Sequence, residues 1–125
     1  MKKSLIPLGE TEMEILHYVW ELNEATVADV QERILKERKV AYTTVMTIMK
    51  NLSDKGYLKF RKDGATYVYC AAIEPESVQF NLINRMIDKV FKGSSSALVQ
   101  TLVKHENLNA EELKEIRKLM NDMKG

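Results

Sequence analysis

The chain is poor in the residues that usually carry chemistry. It has one cysteine, Cys70, so an intramolecular disulfide and a multi-cysteine metal site are both excluded. Its two histidines, His17 and His105, lie far apart, and neither is near Cys70 in sequence. No nucleophile–base pair is suggested, and an enzyme is the weakest of the function classes considered. Cys70 sits in an aromatic strand and reads as a small packed residue. No cofactor is implied. Long uncharged apolar runs are absent, so no membrane span is expected. The run Leu5-Ile6-Pro7-Leu8 behind Lys2 and Lys3 is too short for a signal peptide. A reducing, cytoplasmic location is the expectation. There is no internal repeat and no low-complexity tail.

What is present suits one globular domain, or at most two small ones, in 125 residues with 45% hydrophobic content. The net charge of +1 conceals a segregation. Residues 1–37 carry four Lys or Arg against eight acids; residues 38–62 carry seven against one, Asp54; the remainder has eight against nine. A basic segment at +6 inside an acidic or neutral chain points to a polyanion better than the overall pI does. A solvated basic face is the plain alternative on charge alone.

The glycines and prolines punctuate the chain cleanly. Helical spacing runs from about Glu10 to Leu22, with Met13, Leu16, Val19 and Trp20 on one stripe and Ile15 beside it. A second helix starts at Thr26, capped reciprocally with Asp29, and carries Val27, Val30, Ile34 and Leu35 to about Glu37. A third runs from about Thr43 to Lys55 and ends at Gly56, a residue suited to the left-handed conformation. Two alternating aromatic runs, Tyr57 to Lys62 and Ala65 to Cys70, flank Asp63-Gly64 and read as a hairpin. The fold class is therefore mainly α with a small β-hairpin: a winged helix-turn-helix over residues 1–73, then a helical region over 74–125.

On a wheel, Val45, Ile48, Met49 and Leu52 of the third helix form its packing stripe. The opposite face carries Thr43, Thr47, Lys50 and Asp54, flanked by Met46 on one side and Asn51 and Thr44 on the other. Short hydroxyl, amide and methyl-bearing side chains suit the DNA major groove, where they meet base edges and the thymine methyl. Taken alone, Thr43 reads as a cap or a tolerated surface residue. Three threonines followed by a basic wing favour groove reading by the helix's N-terminal half, since Asp54 repels phosphate. In the wing, Lys59 and Arg61 alternate with Leu58 and Phe60, so one strand face is apolar and the other basic, and Lys62 lies near the tip. The candidate DNA-binding set is Tyr42, Thr43, Thr44, Met46, Thr47, Lys50, Asn51, Lys55, Lys59, Arg61 and Lys62.

The second half contains three amphipathic helices that end near Gly93, follow Ser94-Ser95-Ser96, and start at Asn109 with Glu112 as capping partner. About fifty residues make a meagre core. Pairing with a second copy through Leu82, Met86, Val90, Phe91, Leu98, Leu102, Leu113, Ile116, Leu119 and Met120 would cover the stripes. It would also set two reading helices roughly 34–36 Å apart, matching a palindromic site. A small monomeric bundle is the alternative.

The stretches "ETEMEILHYVWEL", "YTTVMTIMKNLSDKGYL", "KDGATYVY" and "ALVQTLVKHENLNAEELKEIRKLM" together resemble the penicillinase-repressor family, the BlaI/MecI type, over nearly the whole chain. The resemblance implies a homodimeric winged-helix repressor bound to dyad operators, with Thr43, Thr44 and Thr47 as groove-reading positions. Met46 stands where some relatives have a longer polar residue, and Asn51 replaces an arginine common in the family. The Cys-x-Cys pairs of copper-responsive relatives are missing, so copper sensing is not expected. Antibiotic-responsive relatives are cut by a membrane sensor protease at an Asn-Phe bond; the matching bond here is Thr101-Leu102, so that protease is a partner only by resemblance. Two rivals stay open: a winged-helix protein-interaction adaptor and a ligand-responsive regulator of a related winged-helix family.

Overall fold

A computed structural model describes residues 5–105 and 108–124. The element order is α1 (Glu10–Leu22), β1 (Glu24–Ala25), α2 (Val27–Leu35), α3 (Tyr42–Asp54), β2 (Leu58–Asp63), β3 (Thr66–Ala71), α4 (Pro75–Val90), α5 (Ser95–Lys104) and α6 (Ala110–Lys124). By internal packing the chain divides into two compact units, Met1–Asn81 and Leu82–Gly125. The division falls inside α4 rather than at residue 73, because Val78 in the first turns of α4 is buried in the core of the first unit.

The core of the first unit is built from one stripe of each helix. Ile15, Leu16 and Val19 of α1, Val27, Val30 and Ile34 of α2, and Val45, Met49 and Leu52 of α3 are all buried, with Tyr57, Leu58 and Tyr69 closing the sheet side. Ile48, Met13 and Trp20 pack at its edge, and the Trp20 indole N–H donates to the Ile73 carbonyl at 3.0 Å. Leu35, expected on the α2 stripe, is half exposed. It is the last residue of α2, at the point where the chain leaves the packed layer.

Local signals set the element ends. The Thr26 hydroxyl accepts from the Asp29 N–H at 3.1 Å while the Asp29 carboxylate accepts from the Thr26 N–H at 2.9 Å, a reciprocal capping box. Asn109 and Glu112 do the same for α6, and the Ser94 hydroxyl caps α5 through the Ala97 N–H at 3.1 Å. At the end of α3 the Tyr57 N–H reaches back to the Leu52 carbonyl and the Gly56 N–H to the Ser53 carbonyl, with Gly56 at φ +90°. This Schellman arrangement turns the chain directly into β2.

The sheet has three strands, not the two of the expected wing. The two-residue β1 pairs antiparallel with β3, Glu24 opposite Cys70 and Ala25 opposite Tyr69, giving the order β1-β3-β2. A strand this short leaves no alternation to detect; only the buried Ala25 between Asn23 at φ 68° and the Thr26 cap marks it. β2 and β3 pair from Leu58–Ala71 out to Asp63–Thr66, so the hairpin loop is Gly64-Ala65. Gly64 at φ +66° takes the first loop position, which a side chain would strain.

The N-terminal segment straps α3. The Tyr57 hydroxyl donates to the Ile6 carbonyl, and the Lys55 ammonium donates to both carboxylate oxygens of Glu12 at 2.8 Å and to the Pro7 carbonyl at 3.4 Å. Burial pushes the Glu12 carboxyl up, but the Gly9 N–H and the Lys55 ammonium outweigh it and hold the group below its usual value. A depressed folded value means a contribution present above the unfolded carboxylate value of roughly 4.3 and lost as pH falls through the folded one. Urea melts at about pH 6 and about pH 3 should therefore show a smaller acid-induced loss in Glu12→Gln than in the unsubstituted protein. Equal losses in both would remove this pair from the acid response.

A candidate nucleic-acid interface on α3 and the hairpin

α2, the turn Lys36–Ala41 and α3 form a helix-turn-helix whose turn is tied by the Gln31 side-chain amide donating to the Val40 carbonyl at 3.2 Å. Because Val45, Met49 and Leu52 are wholly buried, the orientation of α3 about its own axis is fixed. Tyr42, Thr43, Thr44, Met46, Thr47, Lys50 and Asn51 are consequently all exposed, with Thr43, Thr47 and Lys50 central and Asp54 at the far end. Met46 remains largely in water at 43% exposure, which packing does not explain.

The N-cap of α3 is Ala41, whose side chain makes no capping bond. Thr43 therefore does not cap this helix; it lies one residue inside it. The first backbone N–H groups of α3, left without a side-chain cap, point toward the same end as the threonines, an arrangement that favours an anion.

The basic residues divide into three groups. Lys39, Lys50, Lys59, Arg61 and Lys62 are exposed. Lys55 is held by Glu12 and Pro7 on the side of the N-terminal strap, so its charge is already compensated. Arg38 is also engaged, in a bidentate pair with Glu14 at 2.9 and 2.6 Å. These two bases lower the effective charge of the segment that sequence counting put at +6.

In the hairpin, strand alternation gives two distinct faces. Lys59, Arg61, Val68, Cys70 and Glu24 occupy the outer face, where Arg61 lies 3.4 Å from Glu24 and 4.0 Å from Asp63. Leu58, Phe60, Lys62, Tyr67, Tyr69 and Ala25 occupy the inner face. Of these, Leu58, Tyr69 and Ala25 are buried in the core together with the α3 stripe, so the inner face is turned toward α3. Burial pushes the Tyr69 phenol up, and the nearby Tyr67, Asp54 and Tyr42 add to the effect.

The register keeps the division expected for the wing, Leu58 and Phe60 on one face and Lys59 and Arg61 on the other, and adds to it the place of Lys62. Lys62 is on the inner face, beside the Tyr67 ring at 5.8 Å, and Phe60 rests against Tyr69, centroids 5.6 Å apart, but is 53% exposed. Phe60 lies opposite the buried Tyr69 in the register yet is not itself covered by the core. Phe60 and Tyr67 meet each other edge to face, centroids 5.0 Å apart. Sequence reading did not pair the two rings because it did not carry the strand register through the Asp-Gly turn, the signal that places Phe60, Tyr67 and Lys62 together.

Among the described residues no group of three or more His, Cys, Asp or Glu side chains could hold a metal ion, and no helix is long and apolar enough to cross a membrane. A cleft of about 480 Å³ on the first unit is lined by Glu10, Thr11, Glu14 and Arg38, three charged groups and a hydroxyl rather than the apolar walls usual for a small-molecule site.

Comparison with known proteins places these features in context. A family model described as penicillinase repressor matches residues 8–122. The methicillin resistance regulatory protein MecI of Mammaliicoccus sciuri is 26% identical over 121 residues, covering 97% of this chain and 98% of MecI. The transcriptional regulator BlaI of Mycobacterium tuberculosis is 26% identical over 124 residues, covering 97% and 88%. Among solved structures, the DNA-binding domain of the repressor BlaI aligns with a TM-score of 0.52 at 25% identity, over 60% of this chain and 90% of that one. The monomeric form of Bacillus licheniformis BlaI in complex with the blaP half-operator aligns at 0.50 and 25% identity, over 61% and 92%.

Proposed function

The chain belongs to the penicillinase repressor family, and we propose that it represses transcription as a homodimer whose two α3 helices read the half-sites of a dyad operator. That family is one of DNA-binding transcriptional repressors, not of enzymes. The observation that carries the reading is the exposed face of α3. It is fixed by the burial of Val45, Met49 and Leu52, and it carries short polar side chains together with Tyr42, Met46 and Lys50. Thr43, Thr44 and Thr47 offer hydroxyls and methyls to base edges, Asn51 its amide, Met46 its methyl-bearing tip, and Lys50 a charge for guanine or phosphate. The uncapped N-terminus of α3 suits a backbone phosphate beside the groove.

The second unit supports the dimer. Among its described side chains Ile87 is the one that is buried. Leu82, Met86, Val90, Leu102, Leu113 and Leu119 are exposed, and Phe91, Leu98 and Ile116 are half-buried; the side chain of Met120 lies outside the described residues. An amphipathic three-helix unit with almost nothing inside is incomplete by itself, and a second copy supplies the missing layer. The Thr101-Leu102 bond, matched by resemblance to the bond a sensor protease cuts, lies within α5, where the Thr101 hydroxyl donates to the Ala97 carbonyl at 2.9 Å. Cleavage there requires α5 to unwind first. Cutting it would break the dimer surface and leave single half-site binding, which is far weaker. A cytoplasmic location follows from this reading.

Two outcomes test the assignment. Thr47→Ala, at the centre of the exposed face, should lower discrimination at one base pair by about 1–3 kcal/mol in competition binding. Equal losses on operator and random DNA would show that Thr47 reads no base. Leu102→Asp should convert the dimer to a monomer in sedimentation; an intact dimer would remove α5 from the interface.

A further inference from the structure

We propose that the wing holds DNA through its inner face, with Phe60 and Tyr67 resting on the deoxyribose wall of the groove and Lys62 on a phosphate. The outer face, with Lys59 and Arg61, has no part in binding. This rests on the repressor reading above and says which surface of the wing carries it.

Three independent features point the same way. The first is position. Leu58, Tyr69 and Ala25 tie the inner face to the core that also orients α3, so a duplex laid along the exposed side of α3 meets the inner face of the hairpin first. The second is exposure. Phe60 is 53% and Tyr67 45% exposed, in edge-to-face contact at 5.0 Å, with Phe60 also against Tyr69 at 5.6 Å, on a strand face where polar residues would serve solubility better. Two large rings left in water and pre-ordered against each other are a binding feature rather than a core feature. The third is charge. Lys62 stands beside these rings, 5.8 Å from the Tyr67 centroid. On the outer face Arg61 is drawn to Glu24 at 3.4 Å, and Glu24 is also paired through Cys70 with the row that holds Lys59. The outer face thus brings a carboxylate along with its cations and is a poor match for phosphate.

The occupant is the sugar–phosphate backbone rather than protein, because the inner face is tied to the core that orients α3 and the patch pairs flat apolar edges with one cation. Deoxyribose offers an apolar surface between phosphates, and rings placed on it add affinity without reading sequence.

The test uses the full chain and duplex DNA, both a selected operator and a random duplex, with affinity measured across a salt series. Phe60→Thr with Tyr67→Thr puts a strand-favouring β-branched residue in each strand. Its binding to both duplexes should fall by roughly tenfold or more, with an unchanged salt slope, because apolar contact and not charge is removed. Lys62→Gln should reduce the slope by about one ion on both duplexes, whereas Lys59→Gln should leave slope and affinity as they were. The lysine variants replace exposed side chains, so the proposal stays testable if the aromatic variant unfolds. The assignment is overturned if Lys59→Gln flattens the slope while Lys62→Gln does not, or if a folded aromatic variant binds as tightly as the unsubstituted protein. Conversion of the aromatic variant to a monomer in sedimentation would also overturn it, by showing that a second copy covers the rings. Failure of the unsubstituted protein to bind either duplex would be a separate failure, that of the repressor reading itself.

Discussion

Everything on the DNA-facing side depends on the burial of three side chains of α3. Val45, Met49 and Leu52 are wholly removed from water against α1, α2 and the sheet. At about 1.5–3 kcal/mol for each large apolar side chain, this burial dominates the energetics of the helix. It also fixes rotation: turning α3 by one residue would drive Thr44 or Met46 into the core. The chemistry of the opposite face is therefore not adjustable by motion of the helix. What Thr43, Thr47, Lys50 and Asn51 can touch is decided by the packing behind them.

The same burial orders the surroundings. The Schellman turn at Gly56 delivers Tyr57 and Leu58 straight into the core and starts β2 at a set angle to α3. The strap through Ile6, Pro7 and Glu12 then secures the C-terminal end of α3 by way of Tyr57 and Lys55. These contacts are polar and partly solvated, so they position the helix more than they stabilise it. One consequence is a division of labour among the bases. Lys55 and Arg38 are spent on the fold, and Lys39, Lys50, Lys59, Arg61 and Lys62 remain exposed.

Much of this was legible in the sequence, for physical reasons that can be named. The helices showed because their apolar positions recur at helical spacing and their caps are built from local side chains, as at Thr26–Asp29 and Asn109–Glu112. The face of α3 showed because Val45, Ile48, Met49 and Leu52 define its inside. Three things did not show. β1 is too short to carry a pattern and exists through its pairing with β3. The partners of Lys55 and Arg38 come from α1, more than twenty residues away, so charge counting overestimated the free basic surface. The exposure of the wing's apolar face did not show either, because alternation says which residues share a side but not how deeply each is covered; Phe60 is 53% exposed although Tyr69 opposite it is buried. The repressor family itself was legible through the long stretch from Tyr42 to Leu58 and the aromatic wing after it.

The central claim is that two copies of a fixed reading helix address one operator. Selection of bound fragments from random duplex DNA by the full-length protein, at about physiological salt, tests it most directly. The account predicts an enriched inverted repeat whose half-site centres are about 10 bp, one turn, apart or a multiple of it. Enrichment of a lone half-site, or of no motif above salt-sensitive background, would contradict it.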